Sequence, residues 1–371
     1  GQMVINNSVA NTSGLKIQPK SAGRIERTNR IIELNNRRYP GVIEIGRTQG
    51  KNGLTAINIL PVDDYVYSLM TRDISQEWPV EALKAQAVAI RTFALHELGR
   101  HKDEGFDFCG TKHCQTYIGL SAEDERALKA VNDTKGMVLT WQGQLIVSPF
   151  HLSSGGYTEN GDVLWPQGKE YLRGRPDYDQ TSPFYRWQKR MSPKELEALL
   201  KGGGYDVGEL NAIEVSKRKP SPMTAMDRGI SGRIKSLLII GKNGVVTVDG
   251  EKFQELLSLP STLIDMYVAV VMTNLDGGVI DSYGDRDNKP IQINLPPAKS
   301  GGLLNDSDNV HRISGRKDEM IFLEGYGSGH GIGLSLWGAK AMAEKAINPG
   351  PEYYVTILKH YYQGVKIDKW Y

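Results

Sequence analysis

Cysteine is nearly absent, with only Cys109 and Cys114 in a chain of 371 residues. Two residues are too few for a disulfide scaffold. Long apolar runs are missing as well: no stretch approaches the roughly 20 consecutive residues that span a bilayer. No secretory-leader pattern stands at the start, where Gly1-Gln2-Met3 reads as a cloning remnant, so an export signal removed beforehand is not excluded. One-sided charge is also lacking. Lys and Arg total 45 against 43 for Asp and Glu, a formal charge of +2. That balance excludes a nucleic-acid footprint. What is plentiful is glycine, 41 residues, which points to many turns and a β-rich body. The length suffices for one large or two ordinary domains.

Residues 1–57 read as short strands: LKIQP, RIIELNN, RRYPGVIEIGR and LTAINIL, separated by Gly and Asn. Arg24, Arg27, Arg30, Arg37, Arg38 and Arg47 make the segment basic, partly offset by Glu26, Glu33 and Glu44. A solvated sheet face and a groove for an anionic polymer both fit.

Two helices joined by a polar turn follow. Pro61 suits the first turn of one, with Asp63 and Asp64 where the helix dipole favours acids and Val62, Val66, Leu69 and Met70 as its apolar stripe. The pattern breaks near Asp73. Pro79 opens the second helix, carried by Leu83, Ala87, Ile90, Ala94 and Leu98. Lys84, Val88, Arg91 and Leu95 share one stripe. Lys84 and Arg91 therefore either line a cleft with the Asp73 turn or bind structural carboxylates.

Beyond the helix pair, Cys109 and Cys114 flank His113, with His101 upstream. Thiolates and imidazoles this close suit zinc, although the spacing is not that of a finger or ribbon. A disulfide fits the four-residue gap equally. Ser121 reads as the cap of a further helix, with Asp124 at its third position. Gln142-Gly143 marks a hairpin turn. SPKELEALLKGGG reads as a capped helix with a Ser192/Glu195 capping box, and Asn243-Gly244 as a second hairpin. The aromatic stretch 171–188 either packs a loop or stacks on sugars. Residues 265–320 read as a surface elaboration low in hydrophobics.

In order, these stretches resemble the SpoIID/LytB family, which includes the stage II sporulation protein D lytic transglycosylases. The family's W-P-x-E-A-L-K-A-Q-A-V-A-A-R-T pattern is met by Trp78-Pro79, Glu81 through Ala89 and Arg91-Thr92. Phe150-His151-Leu152-Ser153-Ser154-Gly155-Gly156-Tyr157-Thr158-Glu159 resembles its Y-H-S-S-x-G-G-x-T-E, with Leu152 in place of the first serine. Gly325, Gly327, Gly329, His330, Gly331, Gly333, Ser335, Gly338 and Ala339 resemble its glycine-rich loop, with Leu336 replacing the usual Gln. His330 in that loop is either structural or an acid or ligand-positioning group. The family's catalytic glutamate falls on Asp73.

The resemblance implies cleavage of the β-1,4 bond between N-acetylmuramic acid and N-acetylglucosamine, leaving a 1,6-anhydro end. Asp73 would be the single acid, with Glu77 a less suitable substitute. Lys84, Arg91, Gln115, Ser153, Ser154, His330 and Ser335 would bind substrate. No cofactor is needed for the chemistry; Cys109, His113, Cys114 and His101 would hold a structural zinc. Peptidoglycan glycan strands are the expected partner. The alternative is a non-catalytic glycan-binding protein or amidase enhancer that partners a cell-wall amidase. Either role implies an extracytoplasmic place, secreted or anchored by a segment outside this chain. The expected fold is α+β: a mixed sheet, the helix pair packed on it, and β-rich elaborations. The expected parts are 1–57 as a β-rich N-terminal segment and 58–371 as the SpoIID-like domain, with the elaboration at about 265–320.

Overall fold

A computed structural model describes residues 15–17, 31–47, 53–73, 78–111, 113–165, 168–270, 309–316 and 318–371. Two compact units divide the chain: residues 1–150 with 336–371, and residues 151–335. The N-terminal strands thus share a unit with the helix pair. The fold is α+β, its strands distributed over several small sheets rather than one mixed sheet.

In the first unit, β1 (Leu15–Ile17) pairs with β4 (Val42–Gly46), and β4 with β5 (Thr55–Ile59), all antiparallel. β2 (Ile31–Leu34) and β3 (Arg37–Pro40) form a hairpin. The stretch RRYPGVIEIGR, which reads as one strand, is two. Gly41 separates them at φ +88°, and a Cβ there would collide with the Ile59 carbonyl.

Helices α1 (Val62–Asp73) and α2 (Val80–His96) stand where the prolines and apolar spacing put them. Every residue of α2 from Glu81 to Thr92 is buried. A helix enclosed on all sides needs small residues to admit neighbours closely, and Ala82, Ala85, Ala87 and Ala89 supply them. Around it pack α1, α3 (Glu125–Asp133), β6 (Met137–Trp141), α6 (Leu336–Lys345) and α7 (Tyr353–Tyr361). The cap of α3 is Asp124, not Ser121: its carboxylate accepts from the Arg126 and Ala127 amides, while Ser121 lies outside any regular element. β6 turns through Gln142 (φ +53°) and Gly143 (φ +77°) into β7 (Gln144–Leu145), both residues having the positive φ a type I′ turn requires. The last strand, Lys366–Lys369, pairs with β6.

The second unit begins within β8 (Phe150–His151). β9 (Arg186–Met191) and β13 (Ile264–Val270) flank β15 (Glu319–Tyr326), whose burial alternates residue by residue. β10 (Leu210–Glu214), β11 (Ser236–Gly241), β12 (Gly244–Asp249) and β14 (Val310–Arg312) form a four-stranded antiparallel sheet. Leu196 and Leu200 of α4 (Pro193–Gly202) and Phe253 and Leu257 of α5 (Gly250–Leu257) complete its core with Ile213, Ile239, Val248 and Ile321. α4 carries the expected capping box: the Ser192 hydroxyl accepts from the Glu195 amide, and the Glu195 carboxylate from the Ser192 amide. The expected elaboration starts with β13 and returns through β14. Residues 271–308 lie outside those described.

Candidate functional site

Asp73 is the last residue of α1. Its side chain, and residues 74–77 with Glu77, lie outside the described residues. The residue before it is firmly held: Arg72 Nη1 donates to the Thr116 carbonyl at 2.8 Å. On α2, Arg91 is wholly enclosed. Its Nε donates to Asp63 Oδ1 at 2.9 Å, and its two Nη atoms donate to the carbonyls of Met137 and Val131. Lys84 donates to Glu81 Oε1 at 2.7 Å and to the Pro351 carbonyl at 2.9 Å. Glu81 in turn accepts from the Tyr354 amide, at the positive end of α7. Of the two readings of this stripe, structural pairing describes the geometry: both cations tie α2 to neighbouring segments. Trp78, also buried, sets its ring edge-on to Trp337 at 5.4 Å.

The metal-ligand candidates converge. One donor atom from each of His101, Cys109, His113 and Cys114 lies within 4.8 Å of the others. His113 Nδ1 is 3.7 Å from Cys109 Sγ, 3.5 Å from Cys114 Sγ and 3.2 Å from His101 Nε2. Tetrahedral zinc, with bonds of about 2.0–2.1 Å to nitrogen and 2.3 Å to sulfur, spaces its donors about 3.3–3.8 Å apart. The set fits zinc in identity and number, and the distances from His113 are close to that spacing. Both cysteines are free thiols. The other nitrogen of His101 sits 2.6 Å from Glu104 Oε1, the carboxylate contact that orients a metal-binding imidazole. Burial opposes ionisation of Cys109, but hydrogen bonds from Thr111, His113 and Cys114 outweigh it and lower the thiol to about 5. Cys114 is shifted the other way, by burial first.

The ligand loop is anchored just past Cys114. Thr116 receives Arg72, and the Tyr117 hydroxyl donates to Asn58 Oδ1 at 2.7 Å. Asn58 Nδ2 donates onward to the carbonyls of Pro40 and Val42. Gln115, a predicted substrate contact, lies half-buried between Cys114 and Thr116.

In the second unit the paired serines are internal. Ser153 Oγ donates to Asp179 at 2.5 Å and Ser154 Oγ to Asp177 at 2.6 Å. Asp179 also accepts from the amides of Gly155 and Gly156, at 2.9 Å each. Both glycines have positive φ, and a Cβ on Gly155 would press on Tyr326. Glu159, which closes the motif, accepts from Ser231 Oγ at 2.7 Å and from the Ile230 amide at 3.0 Å. Gly229 is required there, since any Cβ would overlap the Glu159 carboxylate. Arg233, 4% exposed, donates to Ser231 Oγ and the Ser154 carbonyl. Burial lowers its pKa to about 10, opposed by Glu159, Asp179 and Asp177. His330 is half-buried in the glycine-rich loop and Ser335 is buried. Sequence reasoning did not single out Asp177, Asp179, Ser231 or Arg233. Apart from the Arg233–Ser231 contact, the partners named here lie 23 to 79 residues away along the chain.

Residues 50–141 match the profile of the stage II sporulation protein family, SpoIID, and residues 166–277 match a domain of unknown function, DUF8618. An amidase enhancer of Bacillus subtilis (strain 168) is 26% identical over 372 residues, covering 99% of this chain and 48% of that protein. The chain thus spans about half the length of that relative. An uncharacterized protein of Brachyspira hyodysenteriae is 25% identical, covering 97% of this chain and 81% of the relative. A stage II sporulation protein D of Bacillus amyloliquefaciens is 24% identical, covering 85% and 76% respectively. Among the described residues, no helix is long and apolar enough to cross a membrane.

Proposed function

We propose, from the match of residues 50–141 to the SpoIID profile, that this chain acts on cell-wall peptidoglycan as a lytic transglycosylase with Asp73 as its acid. The observation that carries the reading is the end of α1: the helix stops at Asp73, and Arg72 pins that end to the loop of the four metal-ligand candidates. The carboxyl end of a helix carries partial negative charge, which favours a neutral acid over a carboxylate. A proton donor must begin in that neutral form. The acid gives its proton to the departing glycosidic oxygen. It then takes one from the muramoyl C6 hydroxyl as that oxygen closes the 1,6-anhydro ring.

Gln115, in the first unit, and His330, in the second, are the proposed glycan contacts, while Ser335, fully buried, contributes only by shaping its own segment. Ser153 and Ser154 contribute by shaping their loop, and Lys84 and Arg91 by holding α2 in register. Zinc on Cys109, Cys114, His113 and His101 would be structural, fixing the loop that grips Arg72. The site of action is extracytoplasmic, where the glycan is. The test is digestion of purified denuded glycan strands. Anhydro-muropeptides should form and vanish in Asp73→Ala; no product from the unmodified chain would sink the enzyme reading.

A second reading has its own support: the relative aligned over 99% of this chain is named an amidase enhancer. On that reading the protein binds glycan without cutting it and raises the activity of a cell-wall amidase. Co-sedimentation with cell walls would then survive Asp73→Ala unchanged, and amidase turnover would rise on addition of either form.

A further inference from the structure

His151 stands outside the roles assigned so far. It is 5% exposed, and its Nδ1 lies 3.1 Å from the Ile332 carbonyl. A carbonyl only accepts, so Nδ1 carries the proton and Nε2 is left bare. That Nε2 is buried with no hydrogen-bond partner among the described residues. The same residue, Ile332, uses its amide in the opposite sense: its N–H donates to His330 Nδ1 at 3.0 Å. An amide only donates, so neutral His330 has its proton on Nε2. The two rings meet edge to face, 5.4 Å apart.

The backbone between them is held on every side. Ser153 and Ser328 exchange amide-to-carbonyl bonds, Glu159 N donates to the Gly331 carbonyl at 2.7 Å, and Gly329 N donates to the Pro260 carbonyl at 2.9 Å. A Cβ on Gly329 would stand 2.7 Å from His151 Cβ, and one on Gly331 would overlap the Arg233 guanidinium. These glycines let His151 and Arg233 lie directly behind the loop. We propose that His151 is a positioning residue which, through the backbone of Ile332, fixes His330 as an Nε2–H donor to an acceptor oxygen of bound glycan. Burial, then His330 and Arg233, hold the His151 imidazole well below its ordinary range, so no second positive charge arises behind the loop. The identity of the acceptor rests on the glycan reading above; the tautomer pair does not.

The experiment is long-range proton–nitrogen correlation on the full chain labelled with nitrogen-15 histidine, at pH 7.5, with His330→Gln to assign the signals. His151 should show a protonated Nδ1 and bare Nε2, and His330 the reverse. His151→Asn keeps an N–H near the Nδ1 position, and it should preserve the His330 pattern and bind glycan fragments within about threefold. His151→Ala should average the His330 signals and weaken binding about tenfold, the scale of one lost hydrogen bond. A His151 protonated on Nε2, or His330 signals unmoved in His151→Ala, would overturn the proposal. Should His151→Ala not fold, the unmodified chain's spectrum still decides the tautomers. With the tautomers as stated but neither ring disturbed by glycan, the glycan reading fails and the positioning role stands.

Discussion

Asp73 is one methylene shorter than the glutamate of the family pattern, and a misplacement of about 1 Å can cost on the order of a hundredfold in rate. Asp73→Glu should therefore raise anhydro-product formation by tenfold or more, measured by product analysis over time, if the remainder of the site is competent. An unchanged null rate would favour the amidase-enhancer reading. Arg91 makes a different prediction. Removing one member of a buried charge pair leaves the other uncompensated, at about 3–5 kcal/mol. Arg91→Ala should lose stability on that scale in denaturant unfolding, and Arg91→Lys should recover only part, because one ammonium cannot reach Asp63, Val131 and Met137 together. The sequence showed which face Arg91 occupies, but helical spacing says nothing of what lies opposite. Asp63, 28 residues earlier, settles that in three dimensions. Asp177, Asp179 and Arg233 were illegible for the same reason.

Elements were legible where local chemistry fixes them. The α4 capping box and the Gln142-Gly143 turn each involve neighbours within three residues. α3 was displaced because two acceptable caps stand three residues apart, and the Asp124 carboxylate wins by reaching two amides. The metal loop is the element whose behaviour is most open to test. One carbonyl, that of Thr116, links it to the end of α1, so on the zinc reading, removing metal from the four donors should free that end. Chelation, or Cys109→Ser, should lower the melting temperature and speed hydrogen exchange in the last turn of α1. Re-addition of zinc should reverse the chelated case alone. Full protection after verified metal removal would argue that the loop stands without it.

The α+β class was readable from alternating strand and helix patterns, whereas the division into two units was not. The chain leaves the first unit at residue 150 and re-enters it at 336. At this scale pH is the useful probe. His151 and His311, both in the second unit, have pKa values lowered chiefly by burial. A base whose folded pKa is lowered binds its proton more readily unfolded. Its contribution is complete above the unfolded value of about 6.5 and falls as pH drops below it, by up to about 1.4 kcal/mol per unit for each group. Unfolding stability should therefore decline between about pH 6.5 and 5, and His151→Asn should flatten the slope. An equal slope in that variant would remove His151 as a cause. Lys84 and Arg91 are held by Glu81, Pro351, Asp63 and main-chain carbonyls whatever stands at position 73. A descendant could thus shed the acid and keep the helix pair letter for letter, so kinship along this stretch reports a shared chassis and stays silent on whether a given member still cuts.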